Sequence, residues 1–316
     1  MTSMPSVSVV IAVYNGEKYL AQAIESALAQ SFPPSEIIVI DDGSKDGTPG
    51  VINDYKKKGV VISQRVEPNT GVANGMNTGM TMATGKYIAF LDHDDVWFRD
   101  KLKKQVEAME RYPEAGLACC NFAHRPESLK RRVFHFSKLN FAKSFDFKDS
   151  VMRQPFLTMV KESIIGTSSV VLLRRSIAQQ VGLFNRKYRV SGDYDYWMRC
   201  SLVAPFVVLK DALLYKRTHA TNISADRIFT FTEYRQILRE LPMEIQKTGR
   251  NKTWEALCRQ EAANISYMLG NLCFERGEKV KTFEFFDQGF QENKTFANLF
   301  VYGMLTLKKR IRSLRG

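Results

Sequence analysis

Residues 86–95 read Lys86-Tyr87-Ile88-Ala89-Phe90-Leu91-Asp92-His93-Asp94-Asp95. A run of aromatic and branched apolar residues predicts a buried strand, and three carboxylates within four positions follow at its carboxyl end. Like charges this close repel one another unless a cation, a basic neighbour or a shifted protonation state compensates them. Their oxygen donors suit a hard ion such as Mg²⁺ or Mn²⁺, which commonly keeps positions open for substrate phosphates. The plainer alternative is a solvated acidic turn in which Asp94 or Asp95 caps the next helix.

Upstream of this strand, residues 6–13 (SVSVVIAV) form the β-branched run of a central parallel strand covered on both faces. Tyr14-Asn15-Gly16 breaks it. Apolar residues at Tyr19, Leu20, Ala23, Ile24, Ala27 and Leu28 then predict an amphipathic helix over 17–31, stopped by Phe32-Pro33-Pro34. Residues 36–40 (EIIVI) are a second buried strand, and the polar turn 41–48 leads into a helix over 49–58. This order is a right-handed α/β start. Ligands bind outside the carboxyl ends of such strands, so Tyr14, Glu17, Asp41 and Asp42 are expected to share a crevice with Asp92 to Asp95.

A third strand over 60–67 precedes a stretch rich in glycine and asparagine. Neither G-x-G-x-x-G after the first strand nor G-x-x-x-x-G-K-[ST] is present, which argues against a dinucleotide site and a P-loop. The small residues would instead let a helix over 72–84 approach the crevice closely, with Gly85 ending it. Asn74 and Asn77 would share one face of that helix, either against ligand or as a polar surface.

Three segments, SVVIAVYNGEKYLAQAIESALAQ, EIIVIDDGSKDGT and NTGVANGMNTGMTMATGKYIAFLDHDDVWFRDKL, together resemble the family 2 glycosyltransferases of the GT-A fold, in that family's order. The resemblance implies a mostly parallel α/β sheet flanked by helices. It also implies a nucleotide-sugar donor, with nucleobase and ribose held at Tyr14, Glu17, Asp41 and Asp42, and Val13 and Asn74 in the same binding set. The family's D-x-D element falls on Asp92 to Asp95. There one aspartate reaches the ribose and another the Mn²⁺ or Mg²⁺ bridging the diphosphate. Asp92 and Asp94 join the donor set, Asp94 and Asp95 are the metal candidates, and His93 is a spacer.

Further on, residues 190–199 (VSGDYDYWMR) resemble the family's acidic catalytic element. Asp193 keeps the place of the base that deprotonates the acceptor, while Gly192 stands where Glu is common. A helix N-cap is the alternative for Asp193 and the better reading of Asp195, with Tyr196 and Trp197 packing the core. In residues 216–224, the resemblance puts His219 near the diphosphate or on the metal. Arg217 or Lys216 would neutralise the leaving group. His124 and His135 have no such context.

The chain has 316 residues, 44% hydrophobic and 25% charged, enough for one large domain and a smaller appendage. A catalytic domain over 1–225 and a helical extension over 226–316 are expected. Five cysteines include an adjacent pair but no C-x-x-C spacing, which argues against a disulfide framework or structural zinc and for a reducing compartment. With no secretory signal and no apolar run near the roughly 20 residues of a bilayer span, a cytoplasmic location is expected. The formal charge of +13 calls for an acidic partner. Lysines, arginines and phenylalanines mingle over 124–160 and could bind nucleic acid by charge and stacking. A basic, family-variable insertion over a diphosphate site, bearing on acceptor choice, explains them more simply, and no nucleic-acid partner is expected.

Helical spacing recurs over 229–241, 253–276 and 278–290. The stretch 296–316 places Phe300, Val301, Met304 and Leu305 before Lys308, Lys309, Arg310, Arg312 and Arg315. This basic amphipathic ending either lies on an anionic leaflet at the inner face of the membrane or docks as a terminal helix with a solvated tail. The reading is a metal-dependent inverting glycosyltransferase, moving a sugar, from UDP in preference, to a hydroxyl of a glycan or lipid-linked acceptor. Two other readings compete. A nucleotidyltransferase should carry a glycine-rich basic loop after the first strand, where this chain has Tyr14-Asn15-Gly16-Glu17. A non-catalytic binding protein on the same fold has Gly192 as its support.

Overall fold

The structure, a computed structural model, describes residues 4–124, 132–218, 226–249 and 252–293. The chain divides into two compact units, Met1–Asn222 and Ile223–Gly316.

The first unit opens with β1 (Val7–Val13), α1 (Leu20–Leu28), β2 (Glu36–Asp41), α2 (Thr48–Lys57), β3 (Ile62–Arg65), α3 (Val72–Met82) and β4 (Tyr87–Phe90). It continues with β5 (Val96–Trp97), α4 (Lys101–Arg111), β6 (Leu117–His124), β7 (Val133–Phe134), α5 (Phe141–Ser144), β8 (Val151–Met152) and α6 (Pro155–Met159). It closes with β9 (Leu172–Arg174), α7 (Arg175–Val181), α8 (Gly192–Val203) and β10 (Phe206–Lys216). The strands form one sheet in the order β3-β2-β1-β4-β9-β6-β10-β5, with β7 beside β6 and β8 beside β10. From β3 to β4 every pairing is parallel, as is β6 with β10, whereas β9 runs antiparallel between β4 and β6. All seven residues of β1 are buried, as a continuous apolar run covered on both faces requires.

Glycine sets how closely α3 lies on this sheet. A Cβ at Gly79 would stand 2.3 Å from Val10 Cγ1, and one at Gly75 would stand 2.9 Å from Ala12 Cβ. One turn apart on one helix face, the two glycines let the backbone of α3 rest on β1. Asn77 on the same helix is buried: its amide donates to the Phe184 carbonyl (2.9 Å) and accepts from the Phe184 N–H (2.8 Å). Asn77 thus ties α3 to the segment before α8 and is a structural residue.

Several boundaries depart from expectation. The first helix begins at Leu20 instead of 17, because Glu17 is held outside it, its Oε2 accepting from the Gly47 N–H at 2.9 Å. Strand β10 is not evident in the sequence, since exposed Lys210 and Asp211 interrupt its apolar pattern where its register against β6 shifts. The phenylalanines of the 124–160 stretch mostly pack on one another. Phe136 meets Phe141 at 5.1 Å and Phe145 meets Phe147 at 5.0 Å, both edge to face.

The second unit contains α9 (Arg227–Lys247), α10 (Lys252–Glu275) and α11 (Lys279–Glu292), with α10 packed against both others. Helix α9 runs six residues past its expected end at 241, straight through Pro242. Proline costs a helix interior about 3 kcal/mol, but Leu241 and Ile245 on either side of it are buried and hold the helix together. Buried Arg235 pairs with Glu292 at 2.7 Å, and Ser266 Oγ donates to the same carboxylate at 2.9 Å, so all three helices share one satisfied charge. No described helix is long and apolar enough to cross a membrane.

Candidate active site

Strand β4 delivers the acidic stretch to the carboxyl end of the parallel half-sheet. The Leu91 N–H still bonds to the Val10 carbonyl on β1 (3.0 Å), and the chain then turns, with the Asp95 N–H donating to the Asp92 carbonyl (3.0 Å). The turn brings one carboxylate oxygen from each of Asp92, Asp94 and Asp95 within 4.8 Å of the others. Asp92 and Asp94 are half-buried and Asp95 is 1% exposed, so Asp95 is no solvated cap.

The short segment before β9 holds this cluster. Thr167 Oγ1 lies 2.7 Å from Asp92 Oδ2 and 3.2 Å from Asp95 Oδ2, and its single proton can serve either. Ser169 Oγ accepts from the Asp92 N–H at 2.9 Å, and the Arg217 N–H donates to Asp95 Oδ1 at 3.2 Å. Beneath lies a buried brace: Trp97 Nε1 donates to the Ser169 carbonyl, and Gln105 Nε2 donates to the Val170 carbonyl. Lys101 is wholly buried there, donates to Gln105 Oε1 at 2.7 Å, and is pushed down to about 8 by burial.

Burial and mutual repulsion dominate the electrostatics. Burial raises the Asp95 carboxyl to about 7, the charge of Asp92 adds to the rise, and nearby Lys216 opposes it. Asp92 is raised for the same first reason, with Asp94 adding. Such a set favours a bound divalent cation, and three carboxylate oxygens are the donors a hard ion prefers.

Asp193 lies in the first turn of α8, whose N-cap is Ser191, so neither Asp193 nor Asp195 is the cap. A helix N-terminus favours an ionised carboxylate, yet burial wins and raises Asp193 to about 6, the charge of Asp92 contributing. Asp195 is buried in an ion pair with Arg199 at 2.9 Å, a structural role. Behind α8, Trp197 and Tyr196 pack on Phe184, and Trp197 also meets Phe90 of β4 at 5.5 Å, which couples the helix to the acidic strand. A Cβ at Gly192 would meet nothing nearer than the Asn185 carbonyl oxygen at 3.5 Å, so packing does not demand glycine there.

On the other side of the cluster, the first two turns interlock. Asn15, in the left-handed region (φ 52°), accepts from the Lys45 N–H through its side chain, and its own N–H donates to Ser44 Oγ. Val13 is buried, and its carbonyl accepts from the Asp42 N–H at 2.8 Å. Asp41 accepts from the Ser44 N–H and pairs with Arg65 at 2.5 Å, the residue opposite it on β3. Asp42 accepts from the Thr70 N–H, the Thr70 hydroxyl and the Gly71 N–H at 2.8–3.1 Å, and Asn74 donates to the same Thr70 hydroxyl. Tyr14 projects into solvent, 41% exposed. The His93 ring lies beside Gly16, where a Cβ would come within 2.7 Å of it, so His93 spaces the acidic turn from the Tyr14 turn.

Arg217 sends its guanidinium away from Asp95, over the Tyr19 ring at 4.9 Å and onto Gln22 Oε1. His219 lies outside the described residues, as does the basic ending 296–316. Of Thr167, Ser169 and Arg65, the sequence marked only the small polar turn that holds the first two, which the family resemblance puts under the sugar and acceptor. The small polar run Gly166-Thr167-Ser168-Ser169 was the available signal for the first two, while Arg65 follows from register alone.

Residues 8–181 match the Glycosyl transferase family 2 family, and the chain belongs to it; it is a glycosyltransferase. An uncharacterized glycosyltransferase of Rickettsia prowazekii is 28% identical over 234 residues, 74% of this chain and 70% of that protein. The UDP-Glc:alpha-D-GlcNAc-diphosphoundecaprenol beta-1,3-glucosyltransferase WfaP of Escherichia coli is 27% identical over 246 residues, 75% of this chain and 87% of that protein. Among solved structures, residues 1–349 of TarS from S. aureus in complex with UDP-GlcNAc superpose with a TM-score of 0.68 at 20% identity, covering 91% of this chain and 81% of that one. The mannosyltransferase PcManGT of Pyrobaculum calidifontis, in complex with GDP-Man and Mn²⁺, gives 0.62 at 17% identity, covering 99% and 84%. Those likenesses establish the GT-A fold.

Proposed function

We propose that this glycosyltransferase is metal-dependent and inverting, and that it moves a sugar from UDP to a hydroxyl of a glycan or lipid-linked acceptor in surface polysaccharide or glycolipid synthesis. The observation that carries this reading is the meeting of Asp92, Asp94 and Asp95 within 4.8 Å at the end of β4, with Asp193 in the field of Asp92. The UDP-sugars in the names of WfaP and of the TarS complex support the donor class. The Mn²⁺ of the PcManGT complex supports a divalent ion.

Residues 1–225 would form the catalytic domain and 226–316 a helical extension. Tyr14 offers an exposed ring to the nucleobase. Val13, Glu17, Asp41, Asp42 and Asn74 act mainly by fixing the loops that shape the nucleotide crevice. Asp94 and Asp95, with His219, would hold Mn²⁺ or Mg²⁺, which when bound supplies positive charge against the diphosphate leaving group. Asp92 and Arg217 would complete the donor site.

The acceptor oxygen bonds to the anomeric carbon as the bond from that carbon to the diphosphate oxygen breaks. The electron pair leaves with the nucleoside diphosphate, and the hydroxyl proton passes to a carboxylate oxygen of Asp193. A single displacement inverts the anomeric centre. The reaction would take place on the cytoplasmic side, where the basic ending would be drawn to anionic lipid at roughly 1 kcal/mol per basic residue near the surface.

Titration of the purified protein with UDP, dTDP, GDP and CMP, each with Mn²⁺ and again with EDTA, tests the reading. Binding of UDP only with Mn²⁺, lost in Asp95→Asn, is expected. Tight UDP binding in EDTA would overturn the metal dependence, and preference for another nucleotide would overturn the donor class.

A further inference from the structure

We propose that Lys138, His124 and Lys216 form a second anion-binding subsite, beside the acidic cluster, that takes a phosphate group carried by the acceptor. This rests on the glycosyl-transfer reading above and names the acceptor's chemistry. His124 ends β6 and stands in register with Lys216, which ends β10, so the two reach the sheet's carboxyl edge together. Lys138, from the turn after β7, donates to His124 Nε2 at 3.1 Å, which fixes that nitrogen as an unprotonated acceptor. Lys216 donates to the Gly166 carbonyl at 3.1 Å, and the next residue, Thr167, holds Asp92 and Asp95. The basic group is therefore joined to the acidic cluster through two consecutive residues.

The floor of this subsite is closely packed. The His135 ring stacks on Phe122 at 4.5 Å, and its Nε2 lies 2.9 Å from the Ser163 carbonyl oxygen. Gly166 is pressed against both rings, a Cβ there meeting them at 2.9–3.0 Å. Burial, followed by the neighbouring lysine charges, lowers His124, in keeping with its Nε2 accepting from Lys138.

Each ammonium carries three donors, and each spends one on the contact named above, which leaves N–H groups for a ligand. Among the described residues neither Lys138 nor Lys216 forms an ion pair. Lys216 also faces the carboxylates of Asp92, Asp95 and Asp193, so Lys138, beside the imidazole, is the ammonium group left to phosphate oxygens. The Lys216 end of this subsite adjoins the acidic turn, because β10 pairs with β5, whereas its His124 and Lys138 end lies on the side away from the nucleotide loops. The interlocked nucleotide loops follow β1 and β2, the acidic turn follows β4, and β6 lies beyond β9 on the far side. A phosphate held at Lys138, on that far side, is therefore assigned to the acceptor.

The phosphate could belong to a lipid-linked sugar diphosphate or to a phosphodiester polymer. Calorimetric titration of the full chain with inorganic pyrophosphate in EDTA, which removes any divalent ion, tests the subsite. Wild type is expected to bind, Lys138→Ala to bind about tenfold or more weakly, the loss of one charge-assisted contact, and Lys138→Arg to restore binding. Equal binding by wild type and Lys138→Ala, with circular dichroism unchanged, would overturn the proposal. Displacement of pyrophosphate by an N-acetylglucosaminyl diphosphate bearing a phenoxyundecyl chain identifies the lipid source. Displacement by a glycerol phosphate trimer identifies the polymer, and displacement by neither overturns the proposal. Metal-dependent UDP binding reports the donor crevice separately, so its failure counts against the donor reading and not against this subsite.

Discussion

Two sets of aspartates lie at the carboxyl edge of the same parallel half-sheet and are treated oppositely by the fold. After β2, Asp41 is paired with Arg65 and Asp42 accepts three hydrogen bonds from Thr70 and Gly71, so each charge is compensated within the protein. After β4, Asp92, Asp94 and Asp95 crowd within 4.8 Å, and burial drives Asp95 up to about 7. The first set stabilises loops. The second is held at a cost to folding, as expected of charges meant for a ligand. Similar residues at similar strand ends therefore do different work, decided by what the neighbouring elements offer them.

Substitutions can break this contrast, and the largest effect is expected at the proposed base. Asp193→Asn should lower the transfer rate about 10²–10⁴-fold while UDP binding with Mn²⁺ persists; turnover near wild type would remove Asp193 from the mechanism. The acid side of the rate profile sharpens the same point. A base works ionised, and burial places Asp193 at about 6. The rate should therefore fall as pH drops through that value, approaching about tenfold per unit. A rate flat down to the ordinary carboxylate range would contradict it.

Stability separates the two aspartate sets directly. Asp42→Ala strips acceptors from the Thr70 and Gly71 N–H groups and should cost about 1–3 kcal/mol in denaturant melts. In EDTA, Asp95→Asn should leave stability unchanged or higher. A carboxyl raised in the folded state weighs against folding increasingly as pH rises above its ordinary value, so removing it helps most at neutral pH and above. If both substitutions destabilise alike, the contrast fails. The smallest effect is expected at Gly192, where Gly192→Ala should shift stability by no more than about 0.5 kcal/mol, since the nearest atom to the new Cβ lies at 3.5 Å. A large loss there would mean that the glycine is structurally required.

The sequence by itself determined the strand and helix order of the first half and the acidic strand end. Apolar runs and a 3.6-residue period are local signals, and the motifs are three short segments within residues 8–102. It also placed Asp193 in an acidic segment whose Tyr196 and Trp197 read as core residues. Tertiary structure alone decided which acids are spoken for. Arg65 faces Asp41 through strand register, Thr167 reaches Asp92 across 75 positions, and Lys216 meets His124 only because β6 and β10 pair. Strand β10 and the continuation of α9 past Pro242 were likewise hidden, because packing outweighed a broken apolar pattern and a proline. Hydrogen bonds and charge compensation between distant segments depend on register and burial, which exist only once the sheet has formed.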